Sequence, residues 1–586
     1  MVGSYRAPLA DLEFLLQKVM PTQQLLELPA FAHVDRDDVT AVLEQGARFS
    51  EEVLAPANFA GDAVGSRIDG HRVVLPDAYH NAWARYVEDG WLGLDLPQAF
   101  GGQGLPRMLQ AGFAEMANGA CLAFCMLPLM CRAGARLLRE HAAPEIVARF
   151  VPKLTAGEWA ATICISEPQA GSDVGRIQAR AEPEDDGTYR LSGNKIWISY
   201  GDHELTPQIA HLVLARTPGA PPGTRGLSLF LVPKRRLAAD GRPAEANAVR
   251  ALSIEHKMGL KASPTCVMEF DRALAYRIGP AGRGLRCMFT MVNTMRLEVA
   301  IQGHALGGAA TARAIDYATE RRQGGDPDQQ PVPIIEHPDV QRMLLTMRAK
   351  TEAARGLALE AALQLDLAEH AVDESRRLDA AALAGWLLPI CKAYGTDTGF
   401  EVTNLAVQVF GGYGYVTETG IEQYVRDLRV SAIYEGTNGI QALDLVLRKL
   451  LKDGGERLGL FLGRIRSDLD RHASEKKLDE IRDGLIDAVE TLERCSRTLL
   501  QKAAEPRPAA AAATPYLRLA GLVGYGWMWL RMAAAATGRS PLHKEKRLVA
   551  RFFARHLMPE ALTLEAQILA AAAELEAPNL DVLSTH

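Results

Sequence analysis

The sequence predicts a mostly α-helical protein with a central β domain, and three observations predict that class. Apolar residues recur at helical spacing in 1–157, short β-branched and aromatic runs fill 158–285, and helical spacing returns after 286. The chain has 586 residues, whereas a single core stops growing at about 250–300 residues. We therefore predict an N-terminal helical domain (1–157), a β domain (158–285), a helical bundle (286–452) and a C-terminal helical domain (453–586).

The first domain is predicted from segments such as DVTAVLEQGARFSEEVL, in which Val39, Val42, Leu43 and Phe49 recur at helical spacing. The segment GLDLPQAFGGQGLP interrupts this pattern, and its glycine and proline content indicates a loop. The β domain is predicted from runs at short, regular spacing, which favour a sandwich or barrel. These runs are WAATICISEP, TYRLSGNKIWIS, AHLVLART, GLSLFLVPK and CVMEFDRA.

The bundle is predicted from three long amphipathic segments that carry small residues suited to close helix packing. They lie in MFTMVNTMRLEVAIQGHALGGAATARAIDYATERR, DVQRMLLTMRAKTEAARGLALEAALQL and GWLLPICKAYGTDTGFEVTNLAVQVF. KDGGERLG ends this pattern, and further helices are expected from Phe461 to Leu580, with EPRPAAAAATP as a flexible loop between two of them. LAGLVGYGWMWL is too short to span a membrane, which needs about 20 apolar residues. We favour a buried helix there over peripheral membrane contact.

Composition excludes several function classes. The formal net charge is -6 and the pI is about 6.2, so broad attraction to nucleic acid is not expected. The eight cysteines form no C-x-x-C pair, and we predict buried, reduced thiols rather than metal ligands or disulfides. The N-terminal sequence lacks the pattern of a signal or transit peptide, from which we expect a cytoplasmic location.

The common ATP, zinc, hydrolase and Rossmann motifs are missing, so the chemistry must rest on other segments. The strongest candidates are ICISEPQAGSDVG and, about twenty residues later, GNKIWISYG. Their hydroxyl groups (Ser166, Ser172 and Ser199) can hydrogen-bond the polar edge of a flat heterocycle, and the indole of Trp197 can stack on it. A flavin fits this pattern.

These segments, together with RLEVAIQGHALGGA and QVFGGYGYVTETGIEQYVRDLRVSAIYEGTNGIQ, resemble the acyl-CoA dehydrogenase family in order and spacing. The resemblance covers about residues 70–450. It implies a helical domain, a β-barrel or sandwich domain and a four-helix bundle, in the order predicted above. The extra C-terminal helical segment is similar to the long subgroup, which includes 3-methylmercaptopropionyl-CoA and long-chain acyl-CoA dehydrogenases.

The resemblance implies FAD as cofactor and an acyl-CoA as substrate, in fatty acid β-oxidation. It places at the flavin end of FAD the residues Ile165, Ser166, Trp197 and Ser199. It assigns to the adenosine end, across a subunit boundary, Arg321, Gln408, Gly411 and Gly412. It further implies cofactor contact for Thr437, and substrate contact for Ser172, Arg296 and Gly436. Because FAD contacts would cross between subunits, and the C-terminal domain would cover the surface that shorter members use to form tetramers, we expect a homodimer.

Glu435 lies in YEGT, where the family carries its catalytic base. The resemblance implies that Glu435 removes the α-proton of the thioester while the β-hydride passes to flavin N5, giving a trans-2-enoyl-CoA. An apolar pocket would raise the basicity of the carboxylate. Some members carry the base just before the arginine that Arg296 resembles, but here that position is Met295, which accepts no proton. The alternative is a structural salt bridge from Glu435 to Arg426 or Arg429.

The sequence departs from the family pattern at Gly324, at the insert GGDPDQQPVP and at Gly439, and these departures bear on the adenosine contacts. We expect the electrons to pass to an electron-transfer flavoprotein. Two alternatives remain at this point: an acyl-CoA oxidase with the same base, and a non-catalytic or DNA-binding flavoprotein on the same scaffold. For Arg296, the alternative is an ion pair with Glu298 or Glu320.

Overall fold

The computed structural model describes residues 5–70, 72–503 and 506–574. Residues 575–586, and with them the end of the helix expected up to Leu580, lie outside the described residues, as does the first residue of the predicted loop EPRPAAAAATP. The chain folds into helices, then a β barrel, then helices again, which confirms the predicted fold class.

The N-terminal part is built from seven helices and a short antiparallel hairpin, β1 (Arg67–Asp69) with β2 (Arg72–Val74). The helices are α1 (Leu9–Phe14), α2 (Thr22–Leu26), α3 (Arg36–Phe49), α4 (Ala55–Val64), α5 (Asp77–Glu88), α6 (Arg107–His141) and α7 (Pro144–Thr155). Helix α6 is long and apolar enough to cross a membrane, but the whole of its apolar window is buried inside the fold, as in a core helix. Its backbone breaks at Cys121, where φ is -157° and ψ is 85°.

The central domain is a seven-stranded sheet that closes on itself. Strands β11, β5, β4, β6 and β7 pair in a ring, because β7 pairs with both β11 and β6. Closure leaves β3 and β10 outside the ring as the terminal strands of the sheet. The strands are β3 (Ala160–Cys164), β4 (Arg180–Pro183), β5 (Tyr189–Ser199), β6 (Ile209–Arg216), β7 (Leu227–Pro233), β10 (Val249–Ile254) and β11 (Thr265–Ile278), with a separate hairpin of β8 (Arg235–Leu237) and β9 (Pro243–Ala246).

The third part is a bundle of long helices: α8 (Gly284–Glu320), α9 (Pro338–His370) and α10 (Glu374–Phe410), against which α6 packs through α8 and α9. Two short helices follow, α11 (Ile421–Leu428) and α12 (Asn438–Leu443). Helices α8 and α10 cross closely at Gly303 and Gly399, where a Cβ on Gly399 would lie 2.3 Å from the Gly303 carbonyl oxygen. The small residues therefore permit the close packing that the sequence predicts.

The C-terminal part is also helical, with α13 (Glu456–Arg471), α14 (Asp479–Gln501), α15 (Pro506–Ala511), α16 (Ala513–Ala535), α17 (Pro541–Phe552) and α18 (Glu560–Glu574). The prediction of a flexible loop at EPRPAAAAATP was wrong for the described residues, because alanines favour helix and a proline fits the first turn of one. The segment 519–530 lies within α16 and is fully buried, which confirms the buried helix.

The C-terminal part is fixed to the rest of the chain by a buried ion cluster. Lys546 on α17 is 1% exposed, and its Nζ lies 2.7 Å from Glu352 Oε2 on α9. The same ammonium donates to Asp11 on α1. All eight cysteines are buried and free, as the sequence predicts. The described residues contain no cluster of His, Cys, Asp or Glu suited to a metal ion.

Candidate active site around Glu435

Glu435 lies in a strained turn between α11 and α12. Its φ is 56° and that of Gly436 is 83°, so two consecutive residues adopt the left-handed conformation, which glycine tolerates and glutamate rarely adopts. Gln441 Nε2 donates to the Glu435 carbonyl oxygen at 3.1 Å. Thr437 caps α12, because its Oγ1 accepts from the Ile440 backbone N–H at 3.3 Å. Contacts on the C-terminal side therefore hold the turn in place.

The carboxylate of Glu435 has no hydrogen-bond or ion-pair partner among the described residues. Neither arginine weighed as a salt-bridge partner contacts it: Arg426 binds Asp62 at 2.7 Å, and the Arg429 guanidinium lies 5.6 Å from the ring centre of Phe400. Glu435 is half-buried, and desolvation raises its pKa to about 7, against the opposing effects of Lys392 and Arg296. The site therefore holds a free carboxyl group that titrates near neutral pH.

Arg296 on α8 is one of the two cations near this carboxylate. It pairs with Asp444, at 3.6 Å from Nη1 to Oδ2, rather than with Glu298 or Glu320. Glu298 instead accepts from Arg132 at 2.8 Å. The Nε of Arg296 is buried and has no partner in the described structure. An unpaired buried donor is rare in a folded protein and therefore marks Arg296 as a candidate for binding an oxygen-rich ligand.

Lys392 on α10 is the second cation, and our reading of the sequence missed it. The residue is fully buried, and its Nζ donates to the Gly436 carbonyl oxygen at 2.8 Å and to Asn438 Oδ1 at 2.9 Å. The signal in the sequence is an isolated lysine within the apolar run LLPICKAYG, since lysine is almost never fully buried without partners.

The other side of the Glu435 turn is fixed by Tyr434. Its hydroxyl donates to Gln302 Oε1 on α8 and lies 3.8 Å from the sulfur of Met126 on α6. Burial raises the pKa of Tyr434 far above its usual range, so this side chain stays neutral. Helices α6, α8 and α10 thus all contact the turn or its neighbours.

The residues expected at the flavin end lie together where β3 and β5 end. Ser166 follows β3, and its carbonyl oxygen accepts from the Ile196 N–H of β5 at 3.0 Å. The Ile165 carbonyl oxygen accepts from Lys195 Nζ at 3.0 Å. Trp197 has a φ of 63°, and 58% of its surface is exposed. A strained, exposed indole near the end of β5 forms a surface suited to stacking a flat ligand.

The fourth residue expected at the flavin end, Ser199, and Ser172, expected to contact the substrate, differ in exposure. Ser199 is half-buried at the end of β5, opposite Thr265 of β11. Ser172 is exposed on the loop after β3. A buried ion pair that we did not foresee, Lys195 Nζ with Glu167 Oε1 at 2.8 Å, holds the start of this loop to β5.

The residues expected at the adenosine end lie apart from the Glu435 turn, at the far ends of α8 and α10. Arg321, Gly411 and Gly412 line one open cavity of about 520 Å³, together with Tyr317 and Tyr413. The Arg321 guanidinium lies 5.5 Å from the centre of the Tyr413 ring. Gln408 is exposed in the last turn of α10 and does not line this cavity.

Four family models match successive parts of the chain. They are the N-terminal (37–158), middle (162–273) and C-terminal (282–451) domains of acyl-CoA dehydrogenase, and the acetyl-CoA dehydrogenase C-terminal-like domain (461–578). The 3-methylmercaptopropionyl-CoA dehydrogenase of Ruegeria pomeroyi is 40% identical over 544 residues, which cover 91% of each chain. The chain belongs to the acyl-CoA dehydrogenase family.

Solved structures of this family show the same fold along nearly the whole chain. Caenorhabditis elegans ACDH-11, in complex with C11-CoA, has a TM-score of 0.76 and 22% identity, covering 94% of this chain and 92% of that one. A Bacillus anthracis acyl-CoA dehydrogenase, complexed with FAD, has a TM-score of 0.75 and 20% identity, covering 99% and 94%. The predicted family, with its extra C-terminal domain, and the assignment as an enzyme are therefore confirmed, while the roles of single residues stay predictions.

Proposed function

We propose that this protein is an FAD-dependent acyl-CoA dehydrogenase that forms trans-2-enoyl-CoA, with Glu435 as the base that removes the α-proton. The observation that carries the proposal is the state of Glu435: a carboxylate with no hydrogen-bond or ion-pair partner among the described residues, in a strained turn, with its pKa raised to about 7. Structural carboxylates in folded proteins are usually paired, whereas a general base must keep its lone pairs free and titrate near the working pH.

The α C–H bond next to a thioester is a weak acid, so the enolate must be stabilised as it forms. We propose that the backbone N–H of Glu435 donates to the thioester oxygen while its carboxylate takes the proton. The left-handed turn supports this role, because Gly436 leaves the backbone beside the carboxylate free of a side chain. FAD, when bound, supplies the acceptor for the hydride that leaves Cβ, so the two hydrogens go to separate acceptors.

Several features of the structure fit FAD as the cofactor. The exposed indole of Trp197 offers a stacking surface, and it lies on β5 directly after Ile196, which is hydrogen-bonded to Ser166 at the end of β3. At the other site, a Cβ placed on Gly411 or Gly412 would meet nothing within 4 Å, so a ligand can approach the backbone closely. The FAD-bound relative from Bacillus anthracis supports the same cofactor.

We propose that the active form is a homodimer. The cavity at Arg321 combines a guanidinium with open glycine backbone, which suits a pyrophosphate and its adenosine. It lies at the C-terminal ends of α8 and α10, whereas Arg296 and Lys392, the cations near Glu435, lie within these helices, so we infer that it serves the cofactor of a partner subunit. The name of the Ruegeria relative describes a dehydrogenase, which favours an acceptor other than oxygen, and we propose an electron-transfer flavoprotein as that acceptor.

The test is anaerobic titration of the FAD-bound protein with acyl-CoAs of short to long chain, including 3-methylmercaptopropionyl-CoA, the substrate named for the Ruegeria relative. We expect the flavin absorbance to bleach with the wild type. Glu435→Gln should bind ligand normally but reduce its flavin about 10²–10⁴-fold more slowly, the usual range for loss of a general base.

A matched control is Glu401→Gln, which removes an acid that is paired with Lys350 at 2.6 Å and does not contact the site. Its reduction rate should equal that of the wild type. Reduction by Glu435→Gln at the wild-type rate would contradict the assignment of the base. Oxygen consumption that keeps pace with substrate turnover would identify an oxidase instead.

A further inference from the structure

Lys392 is the most unusual charge near the site. It lies in the middle of α10 with no exposed surface, and it forms no ion pair within 4.0 Å among the described residues. Its two hydrogen-bond acceptors, the Gly436 carbonyl oxygen and Asn438 Oδ1, are neutral. Burying an ammonium group with neutral partners is costly. A lysine at this position therefore calls for a role that compensates this cost.

The hydrogen bonds of Lys392 hold the strained turn against α10. Gly436 carries the second left-handed φ of the turn, and its carbonyl oxygen is fixed at 2.8 Å from the ammonium. Asn438 is tied to the same helix, because its Nδ2 donates to the Ala393 carbonyl oxygen at 3.1 Å and to Asp397 Oδ1 at 2.7 Å. Helix α10 thus contacts Gly436 and Asn438, which follow Glu435 directly in the chain.

The charge of Lys392 acts on the Glu435 carboxylate without contacting it. Burial lowers the pKa of Lys392 to about 7, and Glu435 and then Asp397 act in the opposite direction. Arg296 on α8 interacts electrostatically with the same carboxylate. In the segment after α12, Asp444 raises the pKa of Arg296 and Arg448 lowers it. A nearby cation that does not contact the carboxylate favours its ionised form and leaves its oxygens free for a substrate proton.

We propose that Lys392 is a positioning residue for the base, with two separable effects: its hydrogen bonds fix the left-handed turn at Glu435 and Gly436, and its positive charge keeps the Glu435 carboxylate ionised. This inference rests on the proposed function of Glu435. It gives Lys392 a role in positioning and ionising Glu435 rather than in stabilising α10.

Two substitutions separate these effects. Lys392→Gln keeps a donor for the Gly436 carbonyl oxygen and removes the charge, whereas Lys392→Met removes both. We expect the ionisation midpoint in the pH profile of flavin reduction to rise by about one pH unit in both variants. The rate should fall about five-fold at pH 7 and less than about two-fold at pH 9. Lys392→Met should be slower than Lys392→Gln at every pH, because its turn is no longer held.

Lys392→Arg should restore the wild-type midpoint, because it keeps a positive charge. Lys350→Met is the matched control, since Lys350 is also a buried lysine that pairs with an acid on α10, Glu401. Its profile should keep the wild-type midpoint. A merely structural role for Lys392 would lower the rate by the same factor at all pH values, and that result would overturn the charge effect.

A second measurement works without turnover. The change in melting temperature caused by Glu435→Gln, followed from pH 5 to pH 8, reports the ionisation of Glu435 in the folded protein. Repeated in the Lys392→Gln background, this change should move to higher pH. An unchanged profile would refute the proposal, whether or not the wild type reduces its flavin. Failure of the wild type to reduce flavin, with this shift present, would instead refute the proposed function alone.

Discussion

Replacing Glu435 with glutamine should stabilise the protein, and by more at pH 8 than at pH 5. The pKa of Glu435 rises from an ordinary 4.5 to about 7 in the folded chain. A carboxyl group with a raised pKa binds more protons when folded, so the stability it contributes is complete below about 4.5 and is lost as the pH rises through about 7. Glutamine does not ionise and therefore escapes this loss.

The size of the effect follows from the shift. A rise of about 2.5 pH units corresponds to ~3.4 kcal/mol at ~1.4 kcal/mol per unit. Glu435 is only half-buried, so solvent screening reduces the penalty, and we take roughly half of it. Most of this appears between pH 5 and pH 8, which makes the variant about 1 kcal/mol more stable at pH 8 than at pH 5, relative to wild type. Scanning calorimetry should record a difference of about 1–3 °C in melting temperature.

Glu369→Gln provides the control of opposite sign. Glu369 binds Arg107 and Arg139, and the protein lowers its pKa to about 2. The stability that Glu369 contributes is present above about 4.5 and is lost only as the pH falls through about 2. Glu369→Gln should therefore lower the free energy of unfolding by about the same amount at pH 5 and at pH 8. A Glu435→Gln difference that is equally flat, or that is larger at pH 5, would refute a raised pKa at Glu435.

Three further predictions follow from single contacts. Gly436→Ala places a Cβ 2.8 Å from Gln441 Nε2 at a φ of 83°, and should cost about 1–2 kcal/mol by calorimetry and slow flavin reduction in stopped-flow measurements. Trp197→Ala removes a side chain that is 58% exposed, so the apoprotein should melt within about 1 °C of wild type while the flavin retained per subunit falls several-fold by absorbance. Lys546→Met removes the ammonium that Glu352 and Asp11 share and leaves Glu352 with its ion pair to Arg348, and should cost about 3 kcal/mol, seen as a lower melting temperature.

The architecture could be predicted because it depends on period and turn chemistry. Alternating runs such as TYRLSGNKIWIS became strand β5, and apolar residues at helical spacing became α8 to α10. The failure at EPRPAAAAATP has the same basis: a low-complexity segment predicts a loop, although a proline at the first turn of a helix is compatible with the alanines that follow. The closing of the barrel through β7 was not predicted, since it depends on pairing between distant strands.

The site could be predicted only in part. The YEGT motif located the carboxylate, but spacing along the chain does not reveal that Glu435 would adopt a φ of 56°. A positive φ at glutamate is imposed by tertiary contacts, here from Lys392 and Gln441. The two cations near the carboxylate are 96 residues apart in the sequence and meet only because α8 and α10 cross at Gly303 and Gly399.

The charges around Glu435 satisfy two opposing requirements: the ionised carboxylate must be stabilised, and it must remain a strong enough base. A carboxylate paired directly with a cation would be stable but a weak base, whereas one buried alone would remain protonated at neutral pH. Here Arg296 is held by Asp444 and Lys392 by neutral oxygens, so both act on the carboxylate from outside ion-pair distance. A left-handed turn at a non-glycine residue costs about 1–3 kcal/mol, and it persists only where the surrounding structure fixes it. We infer that the contacts from α10 and α12 meet this cost, because they hold the base close to two cations while leaving its oxygens free.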